Sequence, residues 1–157
     1  MSNNALETQV ARLTAIEDIK QLKARYCLFC DNGYDPNGIS GCFVEDGIWD
    51  GGSEFGRYEG KQAIHDFFSG ATDIFQFAAH LVTNPIIEIN GDSASGKWRL
   101  IMPCTMNNDE GSPEAKWLLS DYNESYVQQN GQWFFKSLKV TNQFFADHAS
   151  GWASQTS

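Results

Sequence analysis

One histidine and one aspartate have the chemistry of a proton-transfer pair. His80 lies between the apolar residues 77–79 and 81–82, and Asp31 comes at the end of a long helical pattern. Imidazole takes up and returns protons near neutral pH, and a carboxylate on its other ring nitrogen fixes the tautomer and stabilises the imidazolium. Each residue also has a structural interpretation, Asp31 as a cap of the Asn32-Gly33 turn and His80 as a satisfied core residue.

Tyr26 lies five residues before Asp31 on the same helical pattern. A tyrosine hydroxyl can donate a hydrogen bond to an oxygen on which negative charge develops. An aromatic on the apolar face of a helix is equally well a core residue. With His80 and Asp31 in an apolar cavity, Tyr26 would support elimination of water or halide, or a double-bond shift, without metal or organic cofactor.

No other group of residues has the spacing of a known site. The three histidines, at 65, 80 and 148, form no metal triad with the carboxylates, so we expect no metal and no cofactor. Cys27 and Cys30 form a Cys-x-x-Cys, which fits half of a zinc site or a redox pair. Because Cys42 and Cys104 form no second pair, and the spacers are apolar within a helical pattern, the four thiols are predicted to be core residues.

The first part of the chain has helical patterns. Apolar residues over 5–13 predict a helix, and Thr14-Ala-Ile-Glu17 is a capping box that predicts a new helix or a bend at 14. The helix continues to Asp31 with its apolar face inward and with Lys23 and Arg25 in solvent. A short helix over 39–43, a strand over 47–50 leading into a Gly51-Gly52 hairpin, and a helix over 61–68 follow.

The second part has strand patterns, over 77–89, 94–106, 116–128 and 132–145, separated by turn signals such as Asn90-Gly91. Helices first and long antiparallel strands afterwards predict an α+β domain. At 157 residues the chain fits one domain over 1–157, with a core of about 5–146 and a flexible tail over 147–157. His148 and Trp152 lie in that tail.

Composition restricts the partners and the location. The formal net charge is -9, from 20 acidic and 11 basic residues, which disfavours binding to nucleic acid or to an anionic membrane. No apolar run is long enough to span a bilayer, and the N-terminus lacks a secretory pattern, so we expect a cytoplasmic protein. Hydrophobic residues at 41% and aromatics at 13% suffice for a core and for the lining of a cavity.

Five motifs, taken in order, resemble those of the SnoaL-like branch of the nuclear-transport-factor-two-like superfamily over roughly residues 5–146. They are the helix Ile19–Asp31, Phe43-x-x-Asp-Gly47, Gly60-x-x-x-Ile64, His80 before Asn-Pro-x-Ile87, and Asn-Gly-Gln-Trp133. Within that branch the sequence is most similar to the bile-acid 7α-dehydratase type, with kinship to scytalone dehydratase and hexachlorocyclohexane dehydrochlorinase.

The resemblance implies a cone-shaped α+β barrel, with N-terminal helices packed on a strongly curved, mostly antiparallel sheet around an apolar pocket. By motif position it places the catalytic roles on Asp31, His80 and Tyr26. The dehydratase type also uses an arginine on the last strand, where this sequence has Asn142. The candidate substrate-binding residues are therefore Asn142 and the aromatics Trp49, Phe55, Trp98, Trp117 and Phe144.

The expected function is a cofactor-independent lyase or isomerase, dehydratase-type or ketosteroid-isomerase-like, acting on a hydrophobic cyclic small molecule. Because the fold hosts many activities, two alternatives stay open. One is a non-catalytic module for small-molecule binding or assembly, and the other is a small subunit of a ring-hydroxylating dioxygenase. Since the outer face of a curved sheet must be covered, a homo-oligomer is expected, a trimer or a dimer.

Overall fold

The computed structural model describes residues 3–108 and 110–153. Within these ranges the chain forms five helices and seven strands: α1 (Asn3–Asp31), α2 (Pro36–Gly41), β1 (Phe43–Asp50), α3 (Gly52–Phe55), β2 (Arg57–Glu59), α4 (Lys61–Ser69), α5 (Ala71–Ile74), β3 (Phe75–Ala78), β4 (Leu81–Asn90), β5 (Ser93–Asn107), β6 (Pro113–Gln129) and β7 (Gln132–Asp147). None of the helices so described is long and apolar enough to cross a membrane.

The seven strands form one strongly curved sheet in the order β2-β1-β7-β6-β5-β3, and β4 also pairs with β5. Only the β1–β7 pair is parallel among the strand pairs of the described residues. Register shifts interrupt the β6–β7 ladder twice, and such bulges bend and twist a strand. The predicted α+β architecture is confirmed, with a sheet that curls around the core without closing into a barrel.

One face of the sheet carries the core. Along β5 the residues alternate strictly between buried and exposed from Ser93 to Met102, which is the pattern of a strand with one face against the interior. The last four turns of α1 and the short helices cover that inner face, so that apolar side chains of helices and strands form one cluster. All four cysteines are buried and free, as predicted.

The segment predicted as one strand over 77–89 is divided in two. β3 pairs with residues 104–106 of β5, and β4 pairs with residues 93–101 of the same strand. The chain leaves the ladder at 79–80, where the amide of Ala79 donates to the carbonyl of Pro103 at 3.1 Å. His80 therefore lies in a break between two strands that share one edge of β5.

Several predicted boundaries were wrong. α1 is continuous through Thr14, so the capping box there begins no new helix. α2 begins at Pro36 because Asp35 caps it, accepting from the amide of Asn37 at 3.0 Å. The predicted hairpin forms between β1 and β2, but the one-turn helix α3 connects the two strands in place of a tight turn at 51–52.

The prediction that Lys23 lies in solvent was also wrong. Its side chain is fully buried, with Nζ 2.5 Å from Oε1 of Glu124, which is itself fully buried. The hydroxyl of Tyr126 donates to the other oxygen of Glu124, and Trp98 Nε1 donates to Tyr126 at 3.0 Å. A pattern of polarity along one helix cannot show this, because the partner lies 101 residues away on β6.

We expect Lys23→Met to destabilise the protein by about 3–5 kcal/mol, since it leaves the Glu124 carboxylate buried without its counter-ion. The double variant Lys23→Met/Glu124→Gln should recover most of that loss, because it removes both charges and keeps an acceptor for Tyr126. Urea unfolding followed by circular dichroism measures both.

Lys20→Met is the matched control, because Lys20 lies one turn earlier on α1 with 43% of its side chain exposed. Its unfolding free energy should stay within about 0.5 kcal/mol of wild type. A double variant as unstable as Lys23→Met would contradict the assignment of the loss to an unpaired charge.

Candidate active site

The carboxylate of Asp31 holds His80 at two points. Oδ1 lies 2.7 Å from Nδ1 of the ring, and the backbone amide of His80 donates to Oδ1 at 2.9 Å and to Oδ2 at 3.2 Å. The side chains are 7% exposed for His80 and 33% exposed for Asp31. Because a carboxylate only accepts hydrogen bonds, a neutral His80 ring in this geometry has its proton on Nδ1 and its lone pair on Nε2.

The end of α1 positions Asp31. The chain reverses through two residues in the left-handed region, Gly33 at φ 79° and Tyr34 at φ 53°. The amide of Tyr34 donates to the carbonyl of Cys30 at 3.1 Å, and the amide of Asp35 donates to that of Phe29 at 3.0 Å, so carbonyls of the last turn are satisfied. A bulky residue with positive φ is uncommon and tends to occur at functional sites.

His80 lines an apolar cavity between the C-terminal half of α1, the inner face of β5–β7, and helices α3–α5. The volume is about 50 Å³, well below the roughly 150 Å³ of a cavity that holds benzene. A ring-sized ligand therefore enters only when wall residues move. Besides His80, the half-buried members of the wall are Phe55, Phe67 and Ile74.

Two further tyrosines line the same cavity, Tyr34 and Tyr122. The Tyr34 ring stands edge-on to the His80 ring, with centroids 6.2 Å apart. Neither hydroxyl forms a hydrogen bond within the described part of the chain, although both side chains are buried. Burial raises the pKa of both, so each hydroxyl keeps its proton and can donate to a ligand.

Sequence reasoning assigned no role to the hydroxyl of either residue. Tyr122 has a signal in the sequence, because Tyr122, Glu124 and Tyr126 alternate along a predicted strand and so share a face. Tyr34 has none, since its position depends on a left-handed turn that Gly33 alone does not predict.

Tyr26 also borders the cavity, but its hydroxyl already accepts a hydrogen bond from Trp49 Nε1 at 2.9 Å. The side chain is 2% exposed, and burial raises its pKa. The bond from Trp49 occupies a lone pair of the Tyr26 oxygen and not its hydroxyl proton, and the role of Tyr26 as a donor to substrate stays a prediction.

The predicted substrate-binding aromatics fall in different places. Trp49 and Phe55 line the cavity. Trp98 is buried on the inner face but is directed to Tyr126. Trp117 donates to His148 Nδ1 at 2.9 Å, and Phe144 stacks on Trp152 with centroids 5.5 Å apart; neither lines this cavity.

Asn142 lies outside the cavity and connects β7 to α3. Its Oδ1 accepts from the hydroxyl of Ser120 at 2.7 Å, and its Nδ2 donates to Glu54. Glu54 is next to Phe55 in α3. This helix begins at one glycine with positive φ, Gly52 at 70°, and is followed by another, Gly56 at 82°. Asn142 therefore anchors a short helix that carries one cavity-wall residue.

The histidines, cysteines and carboxylates of the described residues form no cluster that could hold a metal. Burial raises the pKa of Cys27, Cys42 and Cys104 to about 11 each, and it also raises that of Cys30. A thiol needs its thiolate form for redox chemistry or metal binding. The Cys-x-x-Cys is thus part of the core.

The family model described as a SnoaL-like domain matches residues 11–139. The chain belongs to the SnoaL-like domain family. No curated protein matches the sequence significantly.

Three solved structures show how widely this SnoaL-like fold is shared. A scytalone-dehydratase-like protein from Novosphingobium aromaticivorans is 20% identical with a TM-score of 0.79, over 89% of this chain and 91% of that one. A hexachlorocyclohexane dehydrochlorinase, LinA-type3 from Novosphingobium barchaimii, is 19% identical with a TM-score of 0.78, over 91% and 96%. A Mycobacterium tuberculosis protein of unknown function is 26% identical with a TM-score of 0.69, over 84% and 73%.

We expect the thiols of this SnoaL-like domain to resist alkylation in the folded state. With a pKa of about 11, only about one thiol in a thousand is ionised at pH 8, and labelling should speed up as the pH rises towards 11. Iodoacetamide labelling read by mass spectrometry measures this, with urea-unfolded protein, in which all four cysteines should react, as the control. Rapid labelling of Cys27 or Cys30 in folded protein would contradict the core assignment.

Proposed function

We propose that this chain is a cofactor-independent lyase or isomerase, with dehydration of a hydrophobic cyclic compound as the leading reaction. The observation that supports it is the Asp31–His80 hydrogen bond of 2.7 Å, with the ring of His80 at the wall of an apolar cavity. Membership of the SnoaL-like family and structural neighbours named as a dehydratase-like protein and a dehydrochlorinase agree with this class.

In the proposed reaction Nε2 of His80 removes a proton from a carbon next to a carbonyl or opposite a leaving group. The electrons of that C–H bond form a new double bond, and the leaving group departs from the neighbouring carbon. Asp31 stabilises the imidazolium during this step, and the imidazolium then returns its proton to the departing hydroxide, which leaves as water. An apolar site strengthens these interactions because little water competes with them.

The predicted self-association into a trimer or a dimer, and the predicted cytoplasmic location, belong to this proposal. The sheet face turned away from the core carries Leu81 and Ile101, which are paired across β4 and β5 and are 55% and 41% exposed. Covering such residues is a common reason for oligomers.

Proton exchange in heavy water tests the function. A panel of cyclic ketones, enones and steroid-like compounds is incubated with wild type and with His80→Gln, and deuterium next to the carbonyl is followed by NMR. We expect incorporation with wild type and a loss of about 10²–10⁴ in rate with His80→Gln, the usual contribution of a general base. His65→Gln, which alters a histidine bonded to Asp66 on α4, should match wild type.

Bound compounds that never exchange would favour a non-catalytic binding module. Equal rates for wild type and His80→Gln would exclude His80 as the base.

Asp31→Asn separates orientation from basicity. An amide at this position can donate to Nδ1 and so favour the tautomer with its proton on Nε2, where the lone pair is needed. We expect kcat to fall by about 10²–10⁴ with KM changed much less, measured on the compound with the fastest exchange. An unchanged kcat would show that the carboxylate only holds the backbone at His80 in place.

A further inference from the structure

The buried Lys23–Glu124 pair lies behind one wall of the cavity. Nζ of Lys23 is 3.3 Å from the centroid of the Tyr122 ring and 5.0 Å from that of Tyr26, and both rings line the cavity. Glu124 has its other contact with Tyr126, which does not line this cavity. The positive end of the pair therefore lies directly on the face of the Tyr122 ring. The negative end still acts on Tyr122, whose pKa is raised by burial and also by Glu124.

A buried charge of this kind needs an explanation beyond stability, because a well-packed apolar pair of similar size is often at least as stable. An ammonium has three donors; here one is directed to Glu124, and ring faces lie near the others. An ammonium on the face of an aromatic ring is attracted by its π electrons. On a phenol ring it also stabilises negative charge at the oxygen, so the hydroxyl becomes a stronger donor.

We propose that Tyr122 donates a hydrogen bond to the substrate oxygen on which negative charge develops, and that Lys23 is a positioning residue that strengthens this donor through the Tyr122 ring. The inference rests on the proposed function and narrows its substrate class. The substrate carries a carbonyl or hydroxyl oxygen that reaches Tyr122 while its acidic C–H bond faces His80. A halogenated hydrocarbon without oxygen would not use this donor.

Binding of 4-nitrophenolate tests the inference without turnover, because its oxygen carries the charge that the substrate oxygen would develop. Nitrobenzene is the matched probe without that oxygen. Both are titrated by calorimetry into wild type, Tyr122→Phe, Lys23→Met/Glu124→Gln, and the variant that combines all three changes. Tyr122→Phe keeps the ring over Lys23 and removes only the hydroxyl.

We expect Tyr122→Phe to weaken 4-nitrophenolate binding about 10–100-fold, the range for a hydrogen bond to a charged group, and to leave nitrobenzene binding within about twofold. The Lys23→Met/Glu124→Gln change should weaken 4-nitrophenolate binding at least about threefold in wild type and have no further effect in the Tyr122→Phe background. If Lys23 and Glu124 had only a structural role, replacing them would weaken the binding of both probes equally, with and without the Tyr122 hydroxyl.

Two results would overturn the inference: wild type that binds 4-nitrophenolate no more tightly than nitrobenzene, or an ion-pair effect that persists without the Tyr122 hydroxyl. Its failure and that of the proposed function are distinguishable. If deuterium exchange depends on His80 but Tyr122→Phe leaves 4-nitrophenolate binding unchanged, only the proposed role of Tyr122 is contradicted. If 4-nitrophenolate binding depends on Tyr122 and the ion pair as expected, but no bound compound exchanges deuterium, only the proposed catalysis is contradicted.

Discussion

The contact between Asp31 and His80 joins two parts of the fold that are 49 residues apart in the chain. Asp31 ends the one long helix, and His80 occupies the gap between two strands that share an edge of β5. A single carboxylate accepts from the ring and from the backbone amide of His80, so it sets the ring orientation and holds the break in the sheet.

Much of this arrangement was predictable. Alternation along the strands identified the sheet, and the positions of Asp31 and His80 in family motifs paired two residues 49 apart in the chain. What could not be predicted depends on partners that are remote in sequence. The burial of Lys23 depends on Glu124 on β6. The inward position of Tyr34 depends on its left-handed backbone conformation. The continuous α1 was missed because a capping box competes with helix propagation only when the helix can end there.

The interior combines an apolar lining with polar groups that are nearly all satisfied. Tyr26 receives a hydrogen bond from Trp49, Tyr126 is held between Trp98 and Glu124, and Lys23 is paired with Glu124. Among the described residues, the buried side-chain nitrogen or oxygen without a partner is Trp133 Nε1. Tyr34 and Tyr122 instead border the cavity, where a ligand oxygen can accept a hydrogen bond from either hydroxyl. The arrangement of hydroxyl groups around the cavity thus agrees with a site for an oxygen-containing molecule.

The short helix α3 has an evolutionary consequence. It spans one turn, is flanked by glycines in the left-handed region, and is attached to β7 by the Asn142–Glu54 hydrogen bond. Insertions and deletions in such a segment leave the ladder hydrogen bonds of the sheet intact, so descendants can reshape the wall that carries Phe55 while Asp31 and His80 stay in place. The shape of the cavity can therefore change without displacing the Asp31–His80 pair.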